Sequence, residues 1–539
     1  MNKRLLIALV LSFLVLMGYS YLMPKQKQAH LDGNTTAVKV ESVNKEANNN
    51  LHQAPTVMAK TKAPSTTKAP ATQTINKSKI IATVDTNKYT LKIDSLGRID
   101  SLILKDKKYS TVDGKPLDII SKTAIKPLEI RFKDTKLNTK AFKVDYTASS
   151  KNLNATNAPA EITLTQNLGN DTITKTIKFY PAGNYDLTVK SSANNEYFIT
   201  PGFRPTVDKS RYLVVRGALI KDANGVITTL EKGDVDSVKN FNNAIVVAGE
   251  DRYYATIFYK KNGTFNATVA QSGIKGYEEE PIIFVDVKGS DKFLGYVGPK
   301  EWKLFKKLDK NLEDVVEFGW FTFLSRPFFK VMYAIYDFVG NWGWAIVLFT
   351  LLVKIVLFPL SYKGLMSMQK LKDLAPKMKE IKEKYGKDPA KMNQMTMQLY
   401  KKHGANPMGG CLPMLLQIPI FFALYRVLLN ADELQGAPWI GWITDLSHHD
   451  PYYVLPILMG VTMFIQQKVT PNTMTDPTQK KIFQFLPVIM TFFFLTFPAG
   501  LVLYWLVNNI LTIAQQYYIN SAYEKYKQKM KVIKNSSES

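Results

Sequence analysis

The feature that most constrains the fold is a set of long apolar runs in the last third of the chain. Each approaches the roughly 20 residues that a helix needs to cross the hydrocarbon of a bilayer. The five runs are 342–362, 411–430, 452–469, 482–497 and 499–519. A sixth run, residues 5–23, follows Lys3 and Arg4 at the N-terminus. The sequence therefore predicts a multi-spanning α-helical membrane protein with six transmembrane helices, five of which form a core over residues 342–519.

The N-terminal run has two interpretations. A basic start and an apolar run also open signal peptides, and Gly18-Tyr19-Ser20 is a weak small-x-small cleavage site. At about 19 residues, however, the run is long enough to cross the hydrocarbon. We expect residues 1–23 to form an uncleaved transmembrane anchor, with a cleaved signal peptide as the alternative.

Residues 24–78 differ from the rest of the chain in composition. They are rich in Asn, Gln, Thr, Ala, Pro and Lys and contain few large apolar residues. Such a segment buries too little apolar surface to offset the entropy lost on ordering. We therefore expect a flexible tether.

From residue 79 to 318 the sequence consists of short runs in which apolar and polar residues alternate. Ile173, Ile177 and Phe179 alternate with polar residues, and the Pro-Ala-Gly-Asn segment at 181–184 then supplies a turn. Strand-length runs separated by turn residues are typical of a sandwich. We predict an all-β sandwich domain over residues 79–318. It contains no active-site motif, which favours a structural or partner-docking role.

The segment that joins this domain to the apolar core, residues 319–341, combines aromatic and basic residues such as Trp320, Phe328 and Lys330. This composition is typical of an amphipathic helix that lies in the interface plane of a membrane. Pro327 is expected to interrupt that helix.

The charges of the connecting segments indicate the orientation in the membrane. Residues 363–410 carry eleven lysines, whereas residues 431–451 contain no lysine or arginine. Short loops rich in Lys and Arg remain in the cytoplasm. The basic tail, residues 520–539, follows the same rule. The sequence therefore predicts that both termini and the 363–410 segment are cytoplasmic and that residues 24–341 lie outside.

The cytoplasmic segment 363–410 is predicted to form a helical hairpin. Gly386 ends the first helix, and Asp388 and Pro389 supply the N-cap and the first residue of the second. The apolar residues of the first helix are spaced as in a coiled-coil seam. They are Leu371, Leu374, Met378, Ile381 and Tyr385.

Three methionines of this hairpin, Met378, Met392 and Met395, are candidates for contact with arriving chains. Flexible thioethers suit a surface that meets many different apolar sequences. The alternative is that these side chains only fill the contact between the two helices.

Lys354 is a charged residue inside an apolar run. It lies about 12 residues from Trp342, which places it near the middle of the span at 1.5 Å per residue. A lysine at this depth costs about 2.5–3.5 kcal/mol on insertion scales. Such a charge is retained mainly where it faces a hydrated cavity or a partner. No Asp or Glu occurs within the predicted spans, so we expect a hydrated groove around Lys354.

Polar residues on the predicted spans are candidates to line that groove. Thr350 lies one turn before Lys354, and Asn508, Thr512 and Gln516 recur every four residues along one helix face. Gln417, Thr462 and Thr491 are further candidates. The alternative for each of these residues is ordinary hydrogen bonding between helices.

Composition excludes several other classes of protein. The formal charge of +25 fits either nucleic acid or an anionic membrane surface. No DNA-binding motif is present, although ribosomal RNA remains open as a partner of the tail. With one cysteine and no HExxH motif, a zinc site is not expected. His448, His449 and Asp450 lack a nearby nucleophile, so catalysis there is not expected.

Four motifs carry a family resemblance, and all lie near or within the apolar core. They are NPMGGCLP at 406–413, QIPIF at 417–421, DPYYVLP at 450–456 and FPAGLVLYW at 497–505. With these motifs the chain resembles the YidC family of membrane protein insertases, in the Gram-negative form with a large periplasmic domain.

The resemblance implies a groove that opens to the cytoplasm and to lipid and is closed outside. Lys354 stands at the position of a family arginine, and Thr350 matches a groove position. Lysine keeps the charge but loses the bidentate fork of arginine. Trp505 stands where the family often has a second tyrosine, so an essential hydroxyl is not expected there. The predicted groove residues are Lys354, Thr350, Gln417, Pro419, Thr462, Tyr504, Trp505, Asn508, Thr512 and Gln516.

The resemblance also implies a function and partners. We expect an insertase and chaperone of the bacterial inner membrane that moves hydrophilic segments of nascent membrane proteins across the bilayer. It would act alone or with the Sec translocon, and it would contact ribosomes through the hairpin and tail and anionic lipids through its basic segments. No cofactor, metal ion or enzymatic step is implied.

Two other classes of function were weighed. A transporter or channel would use Lys354 as an anion or proton site, but the sequence shows no inverted repeat or paired broken helices. A membrane-embedded enzyme would need a nucleophile and a base, and the sequence shows no such pair.

Overall fold

The computed structural model describes residues 79–110, 114–208, 214–316, 318, 322–404, 412–471 and 477–538. The expected anchor, residues 1–23, and the expected tether, residues 24–78, lie outside the described residues.

A β domain fills the first part of the described chain. Its seventeen described strands run from Ile80 to Pro299. They are β1 (Ile80–Asp85), β2 (Tyr89–Asp94), β3 (Ile99–Leu104), β4 (Ile130–Phe132), β5 (Thr147–Ala148), β6 (Asn152–Asn154), β7 (Ala160–Asn167), β8 (Thr172–Phe179), β9 (Asn184–Ser191), β10 (Glu196–Ile199), β11 (Gly217–Asp222), β12 (Ile227–Glu231), β13 (Lys239–Glu250), β14 (Tyr254–Tyr259), β15 (Phe265–Gln271), β16 (Pro281–Lys288) and β17 (Ser290–Pro299).

The strands form two sheets that share one core. The smaller sheet has the order β3-β2-β1-β6, with β1 and β6 parallel. The larger, thirteen-stranded sheet follows β4-β10-β16-β15-β13-β14-β17-β9-β8-β7-β5, with β11 and β12 joined beside β13. Side chains that alternate inward, such as Val84 from the small sheet and Ile162 and Ile177 from the large one, are fully buried together. The predicted β-sandwich is confirmed.

The domain is not purely β, and this corrects the prediction of an all-β domain. Helix α1 (Thr135–Ala141) begins after Asp134, whose carboxylate accepts a 2.7 Å hydrogen bond from the Leu137 amide. Helix α2 (Trp302–Leu308) follows the last strand, and a 3-10 turn, Lys310–Val315, comes after it. Both helices are only 7 residues long, too short for a helical period to stand out in the sequence.

Helix α3 (Thr322–Val339) occupies most of the segment in which an amphipathic helix was predicted. Pro327 lies inside this helix and does not end it, although the proline has no N–H to donate to the preceding turn. The buried face of α3 carries Phe329, whose ring meets that of Trp302 at 5.8 Å. The other face leaves Phe323 and Phe338 exposed, the two-sided pattern of an interfacial helix.

Seven helices make up the rest of the described chain. They are α4 (Trp342–Asp373), α5 (Ala375–Tyr385), α6 (Pro389–Lys402), α7 (Leu412–Asn430), α8 (Val454–Val469), α9 (Pro477–Phe494) and α10 (Ala499–Glu538). By length and composition α4 is the one described helix that could cross a membrane alone. Shorter apolar helical stretches are Gln417–Asn430, Val454–Val469 and Lys481–Phe494. The helical core is therefore established, and the number of six spans stays a prediction.

The predicted hairpin needs a correction at its first helix. The apolar seam from Leu371 to Tyr385 does not lie on one helix, because α4 continues to Asp373 and α5 begins at Ala375. Pro376 in the first turn of α5 provides the reason, since it has no N–H to continue the bonds of α4. At the far end, the Asp388 carboxylate accepts hydrogen bonds from the Ala390 and Lys391 amides and caps α6 as predicted.

The last helix is longer than the apolar run from which it was predicted. The run ends at residue 519, whereas α10 continues to Glu538. Between residues 501 and 538 there is no glycine or proline to end the helix. The basic tail is thus a helical extension of the last apolar segment.

Candidate functional site

Lys354 lies in the apolar part of α4 and faces α10. Its Nζ donates a 2.8 Å hydrogen bond to Thr512 Oγ1. Thr512 Oγ1 in turn donates to the Asn508 carbonyl oxygen at 2.6 Å. The Lys354 side chain is only partly buried. The structure therefore brings together three of the predicted groove residues at the contact between two helices.

The Lys354 ammonium is only partly satisfied within the described chain. An ammonium has three hydrogens to donate, and Thr512 is the single described acceptor. No described carboxylate pairs with it, and no Asp or Glu occurs between residues 342 and 372. A charge in this position needs water or a partner to offset its desolvation.

A second polar contact joins α7 to α10. Gln417 Nε2 donates a 2.8 Å hydrogen bond to the buried Tyr504 hydroxyl. The neighbouring Trp505 ring packs against Phe421 at 4.8 Å and Phe494 at 5.0 Å. Trp505 thus works as an apolar packing residue in the structure. Pro419 is half-buried within α7, two residues after Gln417.

Two of the three predicted groove threonines, Thr350 and Thr462, donate to carbonyl oxygens of their own helices. Thr350 is buried, and its Oγ1 donates to the Ile346 carbonyl oxygen at 2.7 Å. Thr462 Oγ1 donates to the Met459 carbonyl oxygen at 2.9 Å and accepts from Asn509 Nδ2 at 3.4 Å. No described hydrogen bond joins either of these side chains to Lys354.

Gln516 belongs to a different cluster from Lys354. Its Nε2 donates to Asn520 Oδ1 at 2.7 Å, and the same oxygen accepts from Gln369 Nε2 on α4. The predicted stripe of Asn508, Thr512 and Gln516 is therefore divided between two clusters. Asn520 and Gln369 were missed because both lie beyond the ends of the apolar runs, and the buried Asn509 was missed beside Asn508.

The C-terminal end of α4 and the C-terminal half of α10 are joined by further polar contacts, which were not predicted from the sequence. Asp373 Oδ2 accepts a 3.0 Å hydrogen bond from the Tyr523 hydroxyl. The same oxygen lies 2.9 Å from Lys527 Nζ. These contacts connect the end of α4, just before the hairpin, to the basic extension of α10.

Met378 on α5 and Met392 and Met395 on α6 are half-buried. Met378 Sδ accepts a 3.1 Å hydrogen bond from the Tyr400 hydroxyl. Leu399 and Tyr400 pack against the buried Leu371 and Leu374.

The β domain contacts the segment after α7. Asp432 is almost fully buried; its Oδ2 accepts a 2.7 Å hydrogen bond from the Tyr109 hydroxyl and lies 3.0 Å from Lys108 Nζ. Arg252 Nε donates to the Leu429 carbonyl oxygen at 2.6 Å. Burial raises the pKa of Asp432, although Lys108 opposes that shift. Burial and the neighbouring Asp432 raise the pKa of Glu433 to about 8.

The histidines and acidic residues were also compared with the geometry of a metal site, in the described part of the chain alone. No group of three or more His, Cys, Asp or Glu residues there could hold a metal ion. His448 Nδ1 lies 2.8 Å from Asp445 Oδ2 in the segment before α8, and this carboxylate raises the pKa of His448.

Comparison with known proteins identifies the family. Residues 334–528 match the family described as "60Kd inner membrane protein", and residues 81–331 match the "YidC periplasmic domain". A Campylobacter jejuni protein named "Membrane protein insertase YidC" is 47% identical, with 97% of each chain covered. The Wolinella succinogenes protein of that name is 46% identical over 97% of this chain and 96% of the relative. The Helicobacter pylori one is 43% identical over 98% and 97%.

The family resemblance carried by the four motifs is thus confirmed over nearly the whole chain. Identity at this level extends through the β domain as well as the helical core. The chain belongs to the YidC family of inner-membrane protein insertases and carries that family's periplasmic domain.

Proposed function

We propose that this chain inserts nascent membrane proteins by drawing their short hydrophilic segments into a hydrated groove around Lys354. The observation that carries the proposal is the partly buried ammonium between α4 and α10, with one described acceptor and no described carboxylate. An incoming acidic segment would supply the missing counter-charge. The field of the ammonium would offset the cost of desolvating that segment.

The proposed groove has two parts that differ in charge and polarity. Lys354 supplies the charge of the groove beside the neutral Thr512 and Asn508, and Gln417, Tyr504 and Trp505 form a wall between α7 and α10. Thr350, Pro419, Thr462 and Gln516 complete the proposed lining. Because Lys354 lacks the planar fork of arginine, we propose that it acts as a point of positive field rather than as a carboxylate clamp.

The exposed apolar surface of α4 supports a lateral path for the substrate's own helix. Ile355 is 61% exposed and Val356 is 68% exposed on this helix, beside Lys354. In a bilayer such a surface meets lipid tails at no cost. We propose that the apolar helix of the substrate leaves along α4 and α7 while its hydrophilic end crosses through the groove.

We also propose an arrangement of segments in the inner membrane. Both termini are cytoplasmic in it, and six spans cross the bilayer. The segments are a 1–23 anchor, a 24–78 tether, a 79–318 periplasmic sandwich, a 319–341 interfacial helix, a 342–519 core with the 363–410 hairpin, and a 520–539 tail.

Further partners follow from the charges and apolar residues on the cytoplasmic side. The basic α10 extension and the lysine-rich hairpin would contact ribosomes and anionic lipids. Nascent chains would contact Met378, Met392 and Met395, and this contact would serve a chaperone-like role. Cooperation with the Sec translocon rests on the family alone. No ATP or metal is part of the proposal.

Site-specific crosslinking tests the proposal. A photoreactive residue at Leu351 or Ile355, on either side of Lys354, should crosslink to a stalled ribosome–nascent chain that carries a membrane protein segment. The same probe at Phe492, an exposed residue of α9, is the matched lipid-facing control. Labelling of lipid alone at all three positions would contradict the insertase mechanism, and ion flux without a nascent chain would favour a channel.

A further inference from the structure

A cavity lies where the β domain, α3 and the start of α4 meet. Its volume is about 400 Å³, within the range of small-molecule sites. Three carboxylates and two ammonium groups line it: Glu301, Asp432, Glu433, Lys108 and Lys303. Gly340 and Pro438 also line it and are exposed, so the cavity is reachable from outside the protein.

Two carboxylate oxygens of residues that line this cavity have no hydrogen-bond partner in the described chain. They are Asp432 Oδ1 and Glu433 Oε2, and both are buried. The other oxygens of these groups are engaged, by Tyr109 and Lys108 on Asp432 and by the Trp302 amide on Glu433. A buried acceptor without a donor carries the full cost of desolvation. Two such acceptors side by side call for a donor that also carries positive charge.

The aromatic and basic residues that line the cavity indicate which class of ligand it can bind. Tyr333 and Tyr336 line the cavity from α3, and Trp342 stacks on Tyr336 with ring centroids 4.4 Å apart. Aromatic faces attract an ammonium. Lys303, whose side chain is 57% exposed, holds its Nζ 4.5 Å from the centre of the Tyr333 ring and 2.8 Å from Asp337 Oδ1. Because this ion pair is exposed, it contributes little free energy, and a phosphate at the opening can replace the Asp337 carboxylate as the partner of Lys303.

The position of the cavity indicates where such a ligand would come from. Trp342 begins the apolar helix α4, and the exposed Phe323 and Phe338 of α3 lie on a membrane-facing surface in the proposed arrangement. The cavity then lies at the depth of the outer headgroups. This step rests on the proposed placement of α4 across the bilayer.

We propose that this cavity binds the headgroup of a phospholipid that carries a primary amine, with the ammonium donating to Asp432 and Glu433 and the phosphate near Lys303. A quaternary ammonium has no N–H to satisfy the two oxygens, so choline headgroups bind more weakly. An anionic headgroup without an amine brings a negative charge and no donor for these oxygens, so it binds more weakly still. A basic peptide side chain would satisfy the same oxygens, but the cavity's place at the membrane surface favours lipid.

Native mass spectrometry of the full chain tests the proposal. Detergent-solubilised protein is mixed with phosphatidylethanolamine, its N-methylated series up to phosphatidylcholine, or phosphatidylglycerol. Retention should fall along the methylation series. Glu433→Gln should reduce phosphatidylethanolamine retention about tenfold, the loss of about 1.4 kcal/mol expected for a hydrogen bond to a charged group. The control Glu313→Gln removes a carboxylate that does not line the cavity and should change nothing.

Several outcomes would overturn the proposal. Equal retention of the methylated lipids in the unmodified chain would do so without any variant, so a folding defect in Glu433→Gln cannot obscure the result. Equal losses in both variants, or displacement of the lipid by a lysine-containing decapeptide at equal concentration, would also contradict it. Insertion activity is not the readout, so the lipid site can fail while the insertase function stands.

Discussion

At the scale of single residues, the proposed insertion mechanism depends on the contacts of Lys354. Thr512 is its one described hydrogen-bond partner, and the threonine hydroxyl in turn donates a hydrogen bond to the Asn508 carbonyl oxygen. This relay leaves the ammonium oriented but largely available. If protein acceptors occupied all three ammonium hydrogens, Lys354 would interact more weakly with a substrate carboxylate.

Replacing Thr512 by valine tests this relay. The isosteric change removes the acceptor and should slow insertion about fivefold, equivalent to about 1 kcal/mol for one hydrogen bond. The measurement is the initial rate of substrate insertion into proteoliposomes. Thr470→Val is the matched control, because Thr470 is not a groove candidate and its hydroxyl donates to the Gln466 carbonyl oxygen of α8 at 2.7 Å. Unchanged rates in Thr512→Val would show that the relay does not orient the lysine.

Glu433 makes a second residue-level prediction, on pH dependence. In the chain without a bound amine, the pKa of Glu433 is raised from 4.5 to about 8, so the folded chain holds a proton that the unfolded chain releases between these values. The free energy of unfolding should therefore fall as pH rises from about 5 to 8, by at most about 1.4 kcal/mol per pH unit.

Denaturation in detergent at a series of pH values measures this slope. Glu433→Gln should flatten it, because the variant has no proton to exchange. Replacing Glu313 by glutamine should leave the slope unchanged. A slope that rises with pH in the unmodified chain, or one that survives in Glu433→Gln, would assign the effect to another group.

At the scale of elements, the apolar runs predicted the helices of the core because each run is longer than an ordinary β-strand. The ends were less predictable. Leu374 fits the coiled-coil period as well as its neighbours do, so the period did not reveal the break between α4 and α5. Pro376 was the local signal for it. Gln369 and Asn520 were not predicted as site residues, because both lie beyond the ends of the apolar runs from which the helices were predicted.

The hairpin gives a prediction at this scale. Leu399 packs on Leu371 and Leu374 across the helix contact, whereas Met397 on the same helix is 48% exposed. Leu399→Ala should lower hydrogen-exchange protection across residues 375–402, with about 1–2 kcal/mol lost from the contact. Met397→Ala should leave protection unchanged. Equal effects of the two substitutions would mean that α5 and α6 do not pack as described.

At the scale of the whole molecule, the β domain and the helical core meet through residues far apart in the sequence. Lys108 and Asp432 are separated by 324 positions. No periodicity or motif links two such residues, so the sequence predicted both domains but not their contact. The strands were predictable because burial of one sheet face requires apolar and polar residues to alternate along each strand. A buried ion pair between two domains produces no such local pattern in the sequence.

Removing one side of that contact should weaken the junction. Lys108→Met leaves Asp432, whose side chain is fully buried, without its cation. The free energy of unfolding should fall by about 3 kcal/mol, the usual result of breaking a buried pair. Lys88→Met is the control: it breaks the more exposed pair with Glu301 and should cost less than about 1 kcal/mol. Denaturant titration of the full chain in detergent separates the two, and equal losses would argue against a buried junction.

The most direct test of the central claim is insertion by Lys354 variants in proteoliposomes, with substrates whose outer tails are acidic or neutral. Lys354→Ala should abolish insertion of the acidic-tailed substrate, whereas Lys354→Arg should retain it, because the positive field survives without the amine. Lys363→Ala, on the exposed part of the same helix, should insert both substrates normally. Normal insertion of the acidic-tailed substrate by Lys354→Ala would contradict the account.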